Sequence, residues 1–512
     1  MTAVNKALPL FVEPVLSPTS EETEGGGSPD GIKDYDSWTW KIVRYLHAEE
    51  TGVERITDDK RTSQHPWEVG LIFFAPNFVY LGVSTGVSGI TAYGLTFWDA
   101  VLCIVFFNIF TYVVVAYIGT FGPLFGMRQM VVSRFWVGYQ VMRFFSALNA
   151  CICTGWAILN LVAGANLLHA LGHGVLPPWS AILIMIVCGL VVTLLGYKVI
   201  YAIDRWVWIP ILIIMLIVIS RIKLSGSFSA GTISGTGSAQ AGTILSYGAA
   251  LFGSASSWTL YMCDYTAYQK KTVSRIRLFW SIYFALLIGQ LFLQITGAAA
   301  AACMTNNPTY QKLYNDLGAG GLMYALLVQD SLGRFGEFCI VVLALGLTTG
   351  NIPSLYSAAL SVQAVSSKFR SVPRFYWALF VNAVAFGISV ACFYKFTEVM
   401  DNFMSMLSYF TSLYIGIILS EHWIYRTYLG GGYNMDDYAI PQRLPVSYAA
   451  AFAFCCGAAG AAVGMSQAWY TGPIAKLVDQ QFPGDLGFEL SFAFAFTGHA
   501  MTRWIELRYM GR

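Results

Sequence analysis

The sequence predicts an all-α integral membrane protein of about 12 transmembrane helices: two five-helix halves followed by a further pair. Of its 512 residues, 56% are hydrophobic and only 11% charged, more apolar surface than one soluble core can hide, so lipid must cover the rest. The apolar residues fall into twelve runs of roughly 20, each long enough at about 1.5 Å per residue to cross a hydrocarbon layer of about 30 Å. The runs are rich in Leu, Ala, Phe and Gly and do not alternate at period two. Backbone groups in hydrocarbon must be satisfied internally, and with this pattern helices do so rather than a barrel.

Residues 1–66 form a polar tail with Glu21, Glu22, Glu24 and a Gly25-Gly26-Gly27 run, and no cleavable signal peptide opens the chain. Residues 1–35 are expected to be disordered. Trp38, Trp40, Ile42, Val43 and Leu46 among charged neighbours suggest an amphipathic helix over 36–61, with a solvated tail as the alternative. The first half, 67–220, holds runs at 68–91, 97–118, 138–171, 178–196 and 203–220, and the second, 243–420, holds runs at 243–263, 279–303, 336–364, 375–393 and 402–420. A loop over 421–445 leads to the last pair within 446–512, at 446–467 and 487–507. An odd number of helices per half makes the second half enter from the opposite side, so any repeat must be inverted.

With both termini on one side, 17 Lys and Arg fall in the even-numbered loops and C terminus and seven in the tail, against six in the odd-numbered loops. That bias places both termini in the cytoplasm. The ten cysteines sit almost wholly within apolar runs, where Cys behaves as a small hydrophobe. His169 and His173 have i, i+4 spacing, but without a carboxylate or Cys partner they read as a metal-free pair.

Two runs are unusual. Gly82 to Gly89 and Gly253 to Ser257 are dense in Gly and Ser, and each is expected to unwind a helix near mid-membrane, with Gly82, Gly86, Gly253 and Pro353 as the helix breaks. Paired breaks in the first span of each half point to a transporter site. The alternative is close packing, since Gly82 and Gly86 have the small-xxx-small spacing. Gly82-Val83-Ser84-Thr85-Gly86 also matches the G-x-S-x-G elbow of serine hydrolases, but that motif needs a strand before it and a helix after it, and here it lies in one apolar run, which argues against an enzyme.

Trp156 and Asn160 share a helix face, offering a ring to stack on and an amide that donates and accepts. Trp258 can supply an opposing ring, and Asn351 a group to read a polar edge. Both tryptophans are too deep for an interfacial belt, and together these residues suit a small planar heterocycle.

These residues resemble the nucleobase:cation symporters, and within them the fungal purine-cytosine permease group, which includes vitamin B6 transporters. The resemblance spans roughly 36–510. It rests on Trp38 to Arg61 with Glu49-Glu50-Thr51-Gly52-Val53-Glu54-Arg55-Ile56, on Ser84-Thr85-Gly86, Trp156, Asn160 and Ser257-Trp258, on Asn351-Ile352-Pro353 followed by Tyr356-Ser357, and on Glu421-His422-Trp423-Ile424-Tyr425-Arg426. It implies a leucine-transporter-like 5+5 inverted repeat plus two peripheral helices, and alternating access. It assigns substrate contacts to Ser84 or Thr85, Trp156, Asn160, Trp258 and Asn351. The family's Asn-Asn-Ile-Pro-Asn is here Gly350-Asn351-Ile352-Pro353-Ser354, two amides fewer, which makes pyridoxine the rival to a purine or cytosine.

The resemblance also bears on the coupling ion. Sodium-using relatives carry hydroxyls where this chain has Leu345 and Gly346, so a proton is favoured, while Thr348 and Thr349 keep sodium open. Asp264, Glu337 and Asp204 are candidate proton relays. The expected partners are the small-molecule substrate and membrane lipid, with no nucleic acid, no metal and no cofactor. The family implies a multi-pass protein of the plasma membrane. A third class, a nutrient sensor that binds without transporting, would use the tail and the 421–445 loop for signalling contacts.

Overall fold

The computed structural model describes residues 54–61, 65–194, 206–233, 237–370 and 372–512. Nearly all of the tail, most of the 36–61 segment, and Asp204 lie outside the described residues. Each of the twelve predicted spans coincides with a helix or a broken helix pair.

The first span is broken. Helix α1 (Pro66–Asn77) starts with Pro at its first turn and Glu68 near its positive end. Pro76 lacks the N–H that would continue the ladder, the chain leaves the helix at Phe78 and Val79, and α2 (Tyr80–Thr91) resumes with a bend of 59°. Gly82 and Gly86 are therefore not the break; they lie within continuous α2. A Cβ on Gly86 would stand 1.9 Å from the Gln294 carbonyl oxygen of α9 (Arg275–Ala302), and one on Gly297 of α9 would stand 2.1 Å from that of Val83. The packing alternative holds here, with two backbones in direct contact.

Helix α3 (Phe97–Gly119) is capped by Thr96, which accepts from the Asp99 N–H and donates to its carboxylate at 2.7 Å. Short helices Phe121–Phe125 and Gln129–Val132 lead into α4 (Arg134–Leu171), kinked at Gly138. Helices α5 (Pro178–Leu194) and α6 (Trp208–Leu224) complete the first half.

The second half opens with α7 (Ser238–Ser256), a 3-10 turn at Ser257–Leu260, and short α8 (Met262–Thr266). Gly253 is not the break either: it lies in regular α7, where a Cβ would stand 1.8 Å from the Met404 carbonyl oxygen. After α9, helix α10 (Pro308–Leu327), capped by Asn307, is an element that the apolar runs do not reveal. Then come α11 (Arg334–Val365), α12 (Arg374–Cys392) and α13 (Phe396–Leu419). Pro353 sits inside α11 without interrupting it, so the fourth predicted break is also absent. A π-helix at Ser420–Tyr428 prolongs α13 into the predicted loop. Helices α14 (Tyr448–Gly464) and α15 (Gly487–Met510) flank a two-stranded hairpin at Ser466–Gln467 and Tyr470–Thr471.

Corresponding spans of the two halves pair: α3 packs on α9 and α4 on α11, while α14 and α15 pack together and reach the bundle through α13. Large apolar side chains such as Phe106, Phe110, Ile213 and Ile288 are more than half exposed, as a lipid-facing surface requires. The described N-terminal segment and the C terminus share one end: the Ile56 N–H donates to the Gly126 carbonyl at 2.8 Å, Arg134 to the Tyr438 carbonyl at 2.9 Å, and Arg512 to the Gln442 carbonyl. At that end the fully buried Glu421 binds Arg426 at 2.8 Å and Arg503 of α15 at 2.9 Å, and Glu506 binds Arg503 and accepts from the N–H groups of Val446 and Ala449. This network ties the last helix pair to the second half.

Candidate functional site

The two broken spans meet at mid-bundle, where the two largest buried apolar clusters adjoin; Trp156, Leu355 and Phe403 pack against both. A cavity lies there, walled by Asn77 and Val79 at the first break, by Ser257, Trp258 and Tyr261 at the second, and by Thr85, Trp156, Asn160, Gln290 and Met404. The N-terminal turn of α2 contributes Leu81 and Gly82 to the wall, and its leading N–H groups have no partner within the helix. A break at membrane depth is tolerated where it lines such a cavity.

Of the sequence-derived candidates, Thr85, Trp156, Asn160 and Trp258 are thus brought together at this cavity. Trp258 stands edge-on to Phe73, ring centroids 5.4 Å apart, and tilted against Tyr261 at 5.1 Å. Trp156 is edge-on to Phe403 at 5.6 Å. Ser84 and Asn351 are buried but do not line the cavity. One residue turns a helix by about 100°, so α11 presents Gly350, Pro353 and Ser354 instead.

The sequence reading missed Asn77 and the amides behind it. Gln290 Nε2 donates to the Asn77 side-chain oxygen at 2.8 Å and to its carbonyl at 3.1 Å; Gln294 Nε2 donates to Gln290 Oε1 at 3.1 Å, and Asn108 Nδ2 to Gln294 Oε1 at 2.8 Å. Trp258 Nε1 also donates to Asn77 Oδ1, at 3.4 Å. Four amides thus run from the cavity wall through α9 to α3 and hold the end of α1 against the second break. The signal was present: Pro76-Asn77 and Gln290 with Gln294 at i, i+4 are polar or helix-breaking groups within apolar runs. Around the cavity, Asn77 Nδ2, Trp156 Nε1 and Asn160 Oδ1 are buried without a hydrogen-bond partner: two donors and one acceptor facing a space of about 50 Å³. Ligand pockets usually measure about 300 Å³ or more, so a heterocycle fits only after the walls part.

Of the candidate relays, Asp264 accepts from the Gln129 N–H at 2.9 Å and from Ser357 Oγ at 2.8 Å, while Arg128 donates to its carbonyl at 2.5 Å. It fastens the α3–α4 connection to α8 and α11 on the terminal side of the cavity. Glu337, at the start of α11, lies about 20 Å along that helix from Gly350 and lines neither this cavity nor the second one described below.

Comparison with known proteins accords with this geometry. Residues 55–482 match the family model described as permease for cytosine/purines, uracil, thiamine, allantoin. The chain is 39% identical to purine-cytosine permease FCY2 of Saccharomyces cerevisiae over 93% of its length and 89% of the relative's. It is 37% identical to purine-cytosine permease fcyB of Emericella nidulans over 98% and 97%. Vitamin B6 transporter TPN1 of Saccharomyces cerevisiae is 26% identical over 93% and 90%. Among solved structures, Mhp1, a nucleobase-cation-symport-1 family transporter in a closed conformation with bromovinylhydantoin bound, superposes with a TM-score of 0.68 at 14% identity, covering 90% of this chain and 96% of that one. That likeness establishes the leucine-transporter-like fold of inverted five-helix repeats with two peripheral helices. The chain is a multi-pass membrane protein and belongs to the family of permeases for cytosine and purines, uracil, thiamine and allantoin.

Proposed function

We propose that this protein is a secondary transporter that imports a purine nucleobase or cytosine across the plasma membrane by proton symport and alternating access, both termini lying in the cytoplasm. The observation that carries this reading is the cavity at the two helix breaks, with Trp156 and Trp258 as aromatic walls and two donors and one acceptor without partners. Offset stacking supplies about 1 kcal/mol per ring beyond area burial, and the free amide and indole groups match the mixed donor and acceptor edge of a nucleobase. The names of the purine-cytosine permeases at 37–39% identity support the same substrate class. The small volume of the site between α1, α4, α7 and α11 supports alternating access, since a heterocycle fits there only once the walls part.

Pyridoxine import is the second reading. It is favoured by the α11 wall, where Gly350 and Ser354 present no amide. The test is uptake of radiolabelled cytosine, adenine, hypoxanthine and pyridoxine into transporter-deficient yeast expressing this chain, in acidic and near-neutral medium, with and without protonophore. Protonophore-sensitive nucleobase uptake is the expected result, and uptake of pyridoxine alone replaces it with the second reading. Binding with no uptake of any of the four moves the protein to the sensor class.

A further inference from the structure

A second, wider cavity of about 420 Å³ lies at the C-terminal end of α2, whose N-terminal half lines the substrate cavity, toward the end opposite the termini. Tyr93, Ser246, Ser405 and Gln467 contribute to its walls together with three carboxylates, Glu398, Asp401 and Asp485, and no Lys or Arg lines it among the described residues. The three carboxylates differ in their surroundings. Asp485 is engaged by Tyr409, by Gln467 Nε2 at 2.9 Å and by the Gly487 N–H at 2.9 Å. Glu398 is exposed, on the first turn of α13. Asp401 is 9% exposed, and its Oδ1 is buried without a hydrogen-bond partner. Among the described residues no group of His, Cys, Asp and Glu converges as a metal site would.

Asp401 also stands next to the substrate cavity. The Ser88 hydroxyl beside its carboxyl donates to the Thr85 carbonyl at 2.9 Å, and Tyr247 donates to that same carbonyl at 3.1 Å. Thr85 lines the substrate cavity, as does Met404, one turn along α13 from Asp401. One turn of α2 and one turn of α13 therefore separate this carboxylate from the substrate wall.

We propose that Asp401 accepts the coupling proton, an assignment that rests on the proton-symport reading. A carboxylate enclosed without a cation opposes closure of the crevice around it, because the charge loses its water and gains at most a hydrogen bond from the Ser88 hydroxyl in return. A proton from the medium adds to the carboxylate oxygen and makes the group neutral. The α2–α13 crevice can then close over bound substrate, and the same proton leaves when the opposite side opens. The groups facing Asp401 do not supply the missing positive charge: they are Tyr93 beyond α2, Tyr247 on α7, Glu398 on α13 and Asp485 before α15. Under proton symport, the proton is the charge that neutralises it.

The test uses the full chain in proteoliposomes, with whichever of cytosine, adenine, hypoxanthine or pyridoxine the unaltered protein takes up. Asp401→Asn, which resembles the protonated acid, is expected to lose proton-gradient-driven accumulation at least ten-fold while keeping substrate exchange, now independent of pH. Glu398→Gln is expected to keep accumulation. Gradient-driven accumulation by Asp401→Asn with a normal pH profile overturns the proposal, and so does loss of exchange along with accumulation in well-folded protein. If Asp401→Asn does not fold, Asp401→Glu decides: the half-maximum of uptake against external pH shifts if this carboxyl takes the proton and stays put if it does not. Failure of the unaltered protein to respond to a proton gradient is a separate result that removes the symport reading itself.

Discussion

At the scale of single residues, Trp258 joins the break in the second half to the cavity wall. Its ring rests on Phe73 and Tyr261, and its indole N–H reaches Asn77. Trp258→Ala removes a stacking surface, so about ten-fold weaker apparent affinity is expected at normal surface expression, measured as KM for uptake alongside fluorescence of a tagged chain. Gly350 addresses the substrate question. A Cβ there would stand 3.3 Å from the Pro76 carbonyl oxygen and 3.4 Å from Asn160 Nδ2, so any side chain projects between α1 and α4 at the cavity. Gly350→Asn is expected to change the ratio of nucleobase to pyridoxine uptake several-fold, read by competition, with little loss of stability. These residues also show how far the sequence reading reached. Trp156, Asn160 and Trp258 were legible because large or polar groups deep in apolar helices need a reason. Asn351 was assigned through its motif, and helical rotation by one residue turns it off the wall.

At the scale of elements, glycine content drew attention to the right helices but for the wrong reason. The first break follows Pro76-Asn77, where the chain leaves α1 at Phe78 and Val79, and Gly82 and Gly86, four and eight residues beyond Phe78, make a flat face for α9. Composition cannot separate these roles, because a residue without a side chain serves unwinding and close approach equally well. Substitution can. Gly86→Ala drives a methyl into the Gln294 carbonyl, whereas a Cβ on Gly82 meets the Gln290 and Leu293 side chains at 3.1 Å and needs only a slight shift. Gly86→Ala is expected to lower the melting temperature in detergent by several degrees or to abolish expression, and Gly82→Ala to be mild, as read by fluorescence-detected size exclusion. Helix α10 escaped the sequence reading because Gln311, Lys312, Asn315 and Asp316 interrupt its apolar residues, and a hydropathy criterion for membrane spans passes over a mixed helix.

At the scale of the whole molecule, the count of spans, the division into halves and the added pair were all legible, since they follow from hydropathy and helix parity. The anchoring of the last pair was not, because it depends on charges far apart in sequence. Glu421 neutralises Arg426 and Arg503 with essentially no exposure. Glu421→Gln leaves Arg426 without its carboxylate and Arg503 with Glu506 alone, and a loss of about 3 kcal/mol is expected. A fall in thermal stability, with α14 and α15 becoming susceptible to protease first, checks this. The contact between Gly86 and Gln294, returned by Gly297 to Val83, has a further consequence on an evolutionary timescale. Where two main chains touch, every mutation that adds a carbon atom is opposed by the backbone of the neighbouring helix, and no single compensating change can clear the space. Positions that border open volume on the cavity wall, such as Ser354, are under no such constraint and remain free to drift. Divergence among descendants of this chain is thereby channelled toward new cargo on an unchanging frame.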